Sequence, residues 1–214
     1  MSDDFWQILK SQPGVGVLII DEDGLVLFCN RQAMEIFYGG NFNPVGLTIE
    51  DVEGREFAAE RMPVIRKVIE TGEPIVLRHI RGGRHTESLI WPMEQKEAAK
   101  RRVISITRQG ANAAQEQDNY PRVDSQLVDL GPLDALTRRE LEVLALMGHG
   151  MPLKTIAREL GVAQRTVERY RTDIARKLQL TSIADIARTV QLAGLEVSDA
   201  QLPRLHRWYK PEEN

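Results

Sequence analysis

The most legible chemistry in this chain is carried by three arginines and their neighbours in one short segment. Between Gln164 and Leu178 stand Arg165, Thr166, Glu168, Arg169, Thr172 and Arg176. Advanced at roughly 100° per residue, as in an α-helix, Arg165, Glu168, Arg169, Thr172 and Arg176 fall on one face. Val167, Tyr170, Ile174 and Leu178 fall on the opposite face. Guanidinium groups on an exposed helical face bond phosphate oxygens, and one of them can hold a guanine edge with two hydrogen bonds. A carboxylate such as Glu168 can accept from a cytosine amino group instead. Residues 163–178 hold five basic and two acidic side chains, although the chain as a whole carries a net charge of −3. On an arbitrary helix such a stripe is a solvated face, so its meaning depends on the elements that hold it.

Those elements read clearly. Leu136-Thr137-Arg138-Arg139-Glu140 opens a helix: Thr137 caps it, and Glu140, three residues on, completes a capping box. Leu141, Leu144 and Met147 or Met151 make its apolar stripe, and Gly148 and Gly150 end it. A second helix is expected over Leu153–Leu160, with Lys154 at its start and Ile156, Ala157 and Leu160 inward. Gly161-Val162-Ala163 forms a short turn, Gln164–Leu178 the third helix, and Ser182 caps a fourth that runs to Ala193. A helix, a short glycine-containing turn and a second helix make a helix-turn-helix, whose second helix fits a DNA major groove. Lys154 and Thr166 are then placed for phosphate.

The run LTRRELEVLALMGHGMPLKTIARELGVAQRTVERYRTDIARKL, followed by QLTSIADIARTV, resembles the LuxR-type helix-turn-helix of bacterial regulators. The pattern is matched at Leu136, Thr137, Glu140, Gly150, Lys154, Ile156, Gly161, Val167, Ile174, Lys177 and Ser182, among others. The resemblance implies binding to double-stranded DNA as a homodimer on inverted half-sites, with RNA polymerase as a further partner. It implies base-edge contacts from Glu168, Arg169 and Thr172, and phosphate contacts from Lys154, Arg165, Thr166 and Arg176. Two positions depart from the family: Glu168 stands where Lys is common, and Tyr170 where His is common. Glu168 either alters base preference or weakens binding, whereas Tyr170 lies on the inward face and reads as packing.

Ahead of this module lies a different pattern. Val15–Ile20 and Leu25–Phe28 flank an Asp-Gly turn and form a β-hairpin. Arg31–Tyr38 and 48–71 are helical, and three strands follow at Ile75–Arg81, His85–Met93 and Val103–Arg108, the first two joined at Gly82-Gly83. Strands, then helices, then strands indicate an α+β domain with an antiparallel sheet. The start Asp21-x-x-Gly24-x-Val26-x-x-x-Asn30-x-x-Ala33 and the late hairpin resemble a PAS domain, which implies a sensory or dimerising module whose ligand the sequence does not name. A phosphoacceptor receiver is the alternative, because Val17–Ile20 followed by Asp21-Glu22-Asp23 looks like its first strand and acidic pair. Asp51 would then be the acceptor.

The expected organisation is therefore an α+β PAS-like domain over 6–109, a linker over 110–133, an all-α four-helix LuxR-type domain over 134–196 and a tail over 197–214. The linker holds a short helix near 111–118, and Leu202, Leu205 and Trp208 give the tail an amphipathic helix. Residues 1–133 carry 15 basic and 20 acidic side chains, whereas 134–196 carry 10 and 8, a division of labour by charge. A composition of 42% hydrophobic and 28% charged residues is that of a globular protein, and no apolar run reaches a membrane-spanning length. Neither a secretory signal nor a cysteine pair is expected, which places the chain in a reducing cytoplasm. Cys29 reads as a small core residue, His79 and His85 as ordinary strand residues, and Trp91 and Phe57 as core or dimer-face residues. With no nucleophile–base set, metal cluster or phosphate loop in view, neither enzymatic activity nor a cofactor is expected. The second functional hypothesis is a non-DNA-binding protein that pairs with another LuxR-type chain.

Overall fold

The computed structural model describes residues 7–8, 11–94, 100–110 and 119–205. They fall into two compact units. One draws on Met1–His79, Thr86–Gln126 and Leu205–Asn214, the other on Ile80–His85 and Leu127–Arg204.

The first unit starts with β1 (Gly16–Asp21) and β2 (Val26–Cys29), paired antiparallel. Their turn is tied by Asp21, whose Oδ1 accepts from the backbone of Asp23 at 3.0 Å and of Leu25 at 2.9 Å. Gly24 takes a φ of 88° there, a left-handed backbone that favours glycine. Asn30 then does three jobs at once. Its Oδ1 accepts from Ala33 N at 2.8 Å, capping α1 (Arg31–Tyr38), and from Val17 N at 2.9 Å, while its Nδ2 donates to Val15 O at 2.9 Å. The helical stretch expected over 48–71 is two helices, α2 (Ile49–Glu53) and α3 (Arg55–Thr71), divided at Gly54, whose φ of 87° no helix accommodates.

Four more strands follow: β3 (Ile75–Arg81), β4 (Arg84–Pro92), β5 (Arg102–Gln109) and β6 (Arg122–Val128). The sheet order is β2-β1-β5-β4-β3-β6, with β5 antiparallel to both β1 and β4. Leu18, Ile20, Leu77, Ile90 and Val103 from the sheet join Phe37, Ile65 and Val68 from the helices in one apolar cluster. This is the expected α+β arrangement, and it removes the receiver alternative. A receiver needs a parallel sheet, yet β1 is antiparallel to both of its neighbours. Asp51, its required phosphoacceptor, instead completes the capping box of α2, accepting from Thr48 N at 3.0 Å and Thr48 Oγ1 at 2.6 Å.

Two expectations need correction. Residues 122–128, inside the span read as linker, form the edge strand β6. Its sequence RVDSQLV buries only Ser125 and Val128, so it lacks the apolar alternation by which strands are recognised. The tail is not helical at Leu202 and Leu205. Val197–Gln201 is a 3-10 turn, after which the chain is extended and Val128 N donates to Pro203 O at 3.1 Å. Trp208 and the helix expected near 111–118 lie outside the described residues.

The second unit holds α4 (Arg138–Gly148), α5 (Leu153–Glu159), α6 (Gln164–Lys177) and α7 (Ile183–Ala193). Leu136, Leu141, Leu144, Ile156, Val167 and Ile174 are among its best-buried side chains, each at most 1% exposed. Where α4 meets α7 the fit is close: a Cβ built on Gly148 would run into Val190 Cγ1. The last turns fasten to this unit. Gln201 Nε2 donates to Glu142 Oε1 at 2.7 Å, and Arg204 donates to Asp134 Oδ1 at 3.0 Å and to Leu136 O at 2.8 Å.

Candidate nucleic-acid interface

Two helices, α4 and α5, fix the orientation of α6. Its inward face is set by Val167 and Ile174, both fully buried, with Tyr170 and Leu178 half-buried beside them. The turn from α5 passes through Gly161 at a φ of 65°, so the two helices diverge as a helix-turn-helix requires. At the far end of α6, Lys177 Nζ donates to Glu140 Oε2 at 2.6 Å. The same oxygen accepts from Thr137 N at 2.7 Å and Thr137 Oγ1 at 2.9 Å, so the expected capping box of α4 also holds the C-terminal turn of α6. Burial pushes the Glu140 carboxyl up, but the bonds from Lys177 and Thr137 and the Lys177 charge outweigh it and hold the group below its ordinary range.

The outward face carries the residues singled out from sequence. Arg165, Arg169, Thr172 and Arg176 are exposed, and Thr166 and Glu168 are half-buried. A shallow depression runs along this face, lined by Arg165, Thr166, Glu168, Arg169, Arg171 and Thr172. Arg171 was missed because its helical angle falls on the flank between the inward Val167 and the outward Glu168. A count of every arginine on the helix would have retained it. Lys154 is exposed at the start of α5. Lys154, Arg165, Arg169 and Arg171 make no ion pair among the described residues, although the Arg169 guanidinium lies 5.9 Å from the Tyr170 ring. Arg176 pairs with Asp173 at 3.1 Å, so part of its charge is answered within the helix.

Two polar side chains on this face have local partners. Gln164 Nε2 donates to Glu168 Oε1 at 3.0 Å, which steadies the carboxylate along the helix and leaves Oε2 to accept. Thr172 Oγ1 donates to the Glu168 carbonyl at 3.0 Å, and its lone pairs face outward. A face with three arginines that make no ion pair among the described residues, one steadied carboxylate and one hydroxyl can neutralise a polyanion and read hydrogen-bonding edges. No group of three or more His, Cys, Asp or Glu side chains among the described residues is arranged to hold a metal ion.

The other singled-out residues are placed as follows. Cys29 is buried, and burial pushes its thiol up to about 12. His79 is buried, its ring stacked on Phe37 at 6.1 Å. Phe57 is a core residue, whereas Trp91 is 41% exposed and meets the Tyr120 ring edge-on at 5.6 Å. No described helix is long and apolar enough to cross a membrane.

Comparison with known proteins bears on both units. Residues 134–190 match the family described as bacterial regulatory proteins, luxR family, and residues 11–109 match the PAS fold. The transcriptional regulatory protein FixJ of Azorhizobium caulinodans is 38% identical over 101 residues, which are 47% of each chain. The response regulator protein TodT of Pseudomonas putida is 27% identical over 176 residues, 78% of this chain and 75% of that one. The chain spans about half of the length of FixJ and of nodulation protein W of Bradyrhizobium diazoefficiens, the latter 53%. Among solved structures, a Vibrio cholera VqmA–ligand–DNA complex is similar at 20% identity and a TM-score of 0.50, over 91% of this chain and 89% of that one.

Proposed function

We propose that this chain, a PAS domain followed by a LuxR-type helix-turn-helix domain, is a cytoplasmic, non-enzymatic transcription regulator that binds double-stranded DNA sequence-specifically. The observation that carries the reading is the outward face of α6, where Arg165, Arg169 and Arg171 stand free of ion pairs among the described residues above an inner face anchored by the buried Val167 and Ile174. Arg169, Glu168 and Thr172 supply the base-edge contacts, since they sit mid-face with hydrogen-bonding capacity directed outward. Lys154, Arg165, Thr166 and Arg176 supply phosphate contacts, and Arg171 joins them. The working form is a homodimer, because inverted half-sites match a two-fold axis in the protein. RNA polymerase is the natural further partner of such a regulator. The functional boundaries are 6–109 together with strand β6 for the sensory domain and 134–196 for the DNA-binding domain, joined through the rest of 110–133. The sensory domain takes a small ligand in its cavity and acts through the different affinities of that ligand for two states.

Selection of bound sites from random duplex DNA tests this. The wild-type chain is expected to enrich an inverted repeat. Arg169→Ala should relax one base position in each half-site. Lys154→Ala should weaken all sites and reduce the slope of log affinity against log salt by about 0.9 per protomer. Enrichment no greater than non-specific binding overturns the reading and favours the interaction protein that Glu168 would suit.

A further inference from the structure

The first unit contains a partly open cavity of about 60 Å³ between its sheet and helices. That is well below the roughly 150 Å³ that admits benzene, so its occupant is compact. The wall is mainly apolar, with Phe37, Phe57, Ile65, Leu77 and Ile90 among its lining side chains. Two polar regions interrupt it. On the sheet side, His79 Nε2 lies 3.1 Å from Ser88 Oγ, which lies 2.8 Å from Thr107 Oγ1. These groups can exchange donor and acceptor roles by rotation or tautomer, so they suit a neutral polar group. On the helix side stand Glu53 and Arg61.

Arg61 reaches beyond the cavity. It is 6% exposed, its guanidinium lies 4.6 Å from the Phe57 ring, and its Nη1 stands 2.9 Å from Glu60 Oε2. Its Nη2 donates to Ser125 Oγ on β6 at 3.2 Å. Glu60 grips the same strand, accepting from Ser125 Oγ at 3.0 Å and from the Gln126 amide. Strand β6 is the sheet edge and leads in sequence directly to the helix-turn-helix. One arginine thus lines the cavity and ties down the strand by which the chain leaves the PAS fold.

We propose that the cavity takes a compact, uncharged molecule with a hydrogen-bond acceptor, and that Glu60 and Arg61 transmit its arrival to β6. The inference rests on the sensory reading given above. Glu53 and Arg61 bring opposite charges to the wall, so a charged guest of either sign meets one like charge as well as one counter-charge, whereas a neutral acceptor takes a bond from Arg61 without that conflict. A neutral acceptor beside Arg61 draws Nη2 away from Ser125 and loosens β6. Arg61 is a positioning residue in this scheme, because it acts through the strand.

The test uses the full chain and two probes, acetone as a compact carbonyl acceptor and xenon as a filler that accepts nothing. Backbone amide exchange is read at Gln126–Val128, and amide chemical shifts at Leu77, Ser88 and Ile90 report occupancy. Both probes are expected to shift the cavity signals. Acetone should speed exchange at Gln126–Val128 at least threefold, and xenon should not. In Ser125→Ala, exchange there should start faster, and acetone should no longer change it although it still shifts Ser88. Arg61→Met should behave like Ser125→Ala, which serves as the milder variant if the arginine substitution fails to fold. Acetone that shifts the cavity signals without changing β6 exchange overturns the coupling and leaves the sensory reading standing. Neither probe entering the cavity overturns both.

Discussion

In the proposed DNA interface, Glu168 is the side chain of α6 with most bearing on sequence preference. Its Oε1 is occupied by Gln164, and Oε2 remains on the outward face. A carboxylate there accepts from a cytosine amino group and repels nearby phosphates. Glu168→Lys should therefore change the preferred base at one position of each half-site, which site selection on the variant would read. It should also tighten non-specific binding and steepen the salt dependence by about 1–2 on the logarithmic slope, the charge change being +2. An unchanged site logo would mean that residue 168 does not reach a base. In the PAS unit Asn30 is the residue of greatest consequence. Removing its side chain orphans the amides of Val17 and Ala33 together, so Asn30→Ala should cost about 2–4 kcal/mol in chemical denaturation. A loss below 1 kcal/mol would show that water replaces both bonds.

Helix pairing in the second unit rests on two contacts of different kinds. Gly148 lets α4 approach α7, and a methyl there meets Val190. Gly148→Ala should destabilise this unit by about 1–3 kcal/mol, against the usual helix-propensity gain from alanine. Calorimetry that finds the variant more stable would mean that Val190 turns aside freely. The Lys177–Glu140 contact is electrostatic, and its pH dependence follows from the depressed Glu140 value. A carboxyl lowered on folding stabilises the fold fully above its ordinary pKa, and that stabilisation is lost as pH falls through the lower, folded value. Lys177→Met should raise the midpoint of acid unfolding and cost about 2 kcal/mol at pH 7. An acid transition identical to wild type would sink this account. These helices were readable in the sequence because their caps, glycines and apolar stripes are local signals. Strand β6 and the end of the chain were not, because their bonds are distant. Ser125 meets Glu60 across 65 positions, and Arg204 meets Asp134 across 70. The face of α6 was likewise legible by helical angle, except for Arg171 on its flank.

Across the whole molecule, the charge division seen in the sequence reappears as one acidic PAS-fold unit and one unit with a basic helix face. The fold class followed from the order of elements, since strands, helices and strands left little room for a parallel sheet. The break at Gly54 and the edge strand did not follow, because each depends on what packs beside it. Cys29 has a practical consequence at this scale. It is the single cysteine of the chain, and it is buried with its thiol pushed up to about 12. At pH 8 the native protein should react with Ellman's reagent only as fast as it opens, and denaturant should release one thiol per chain. Rapid native reaction would contradict the burial. If it stays silent, the natural chain is already a clean background for spectroscopic labelling. A cysteine placed at the exposed Thr181 could take a fluorophore or spin label beside the DNA-binding helices without any substitution at Cys29.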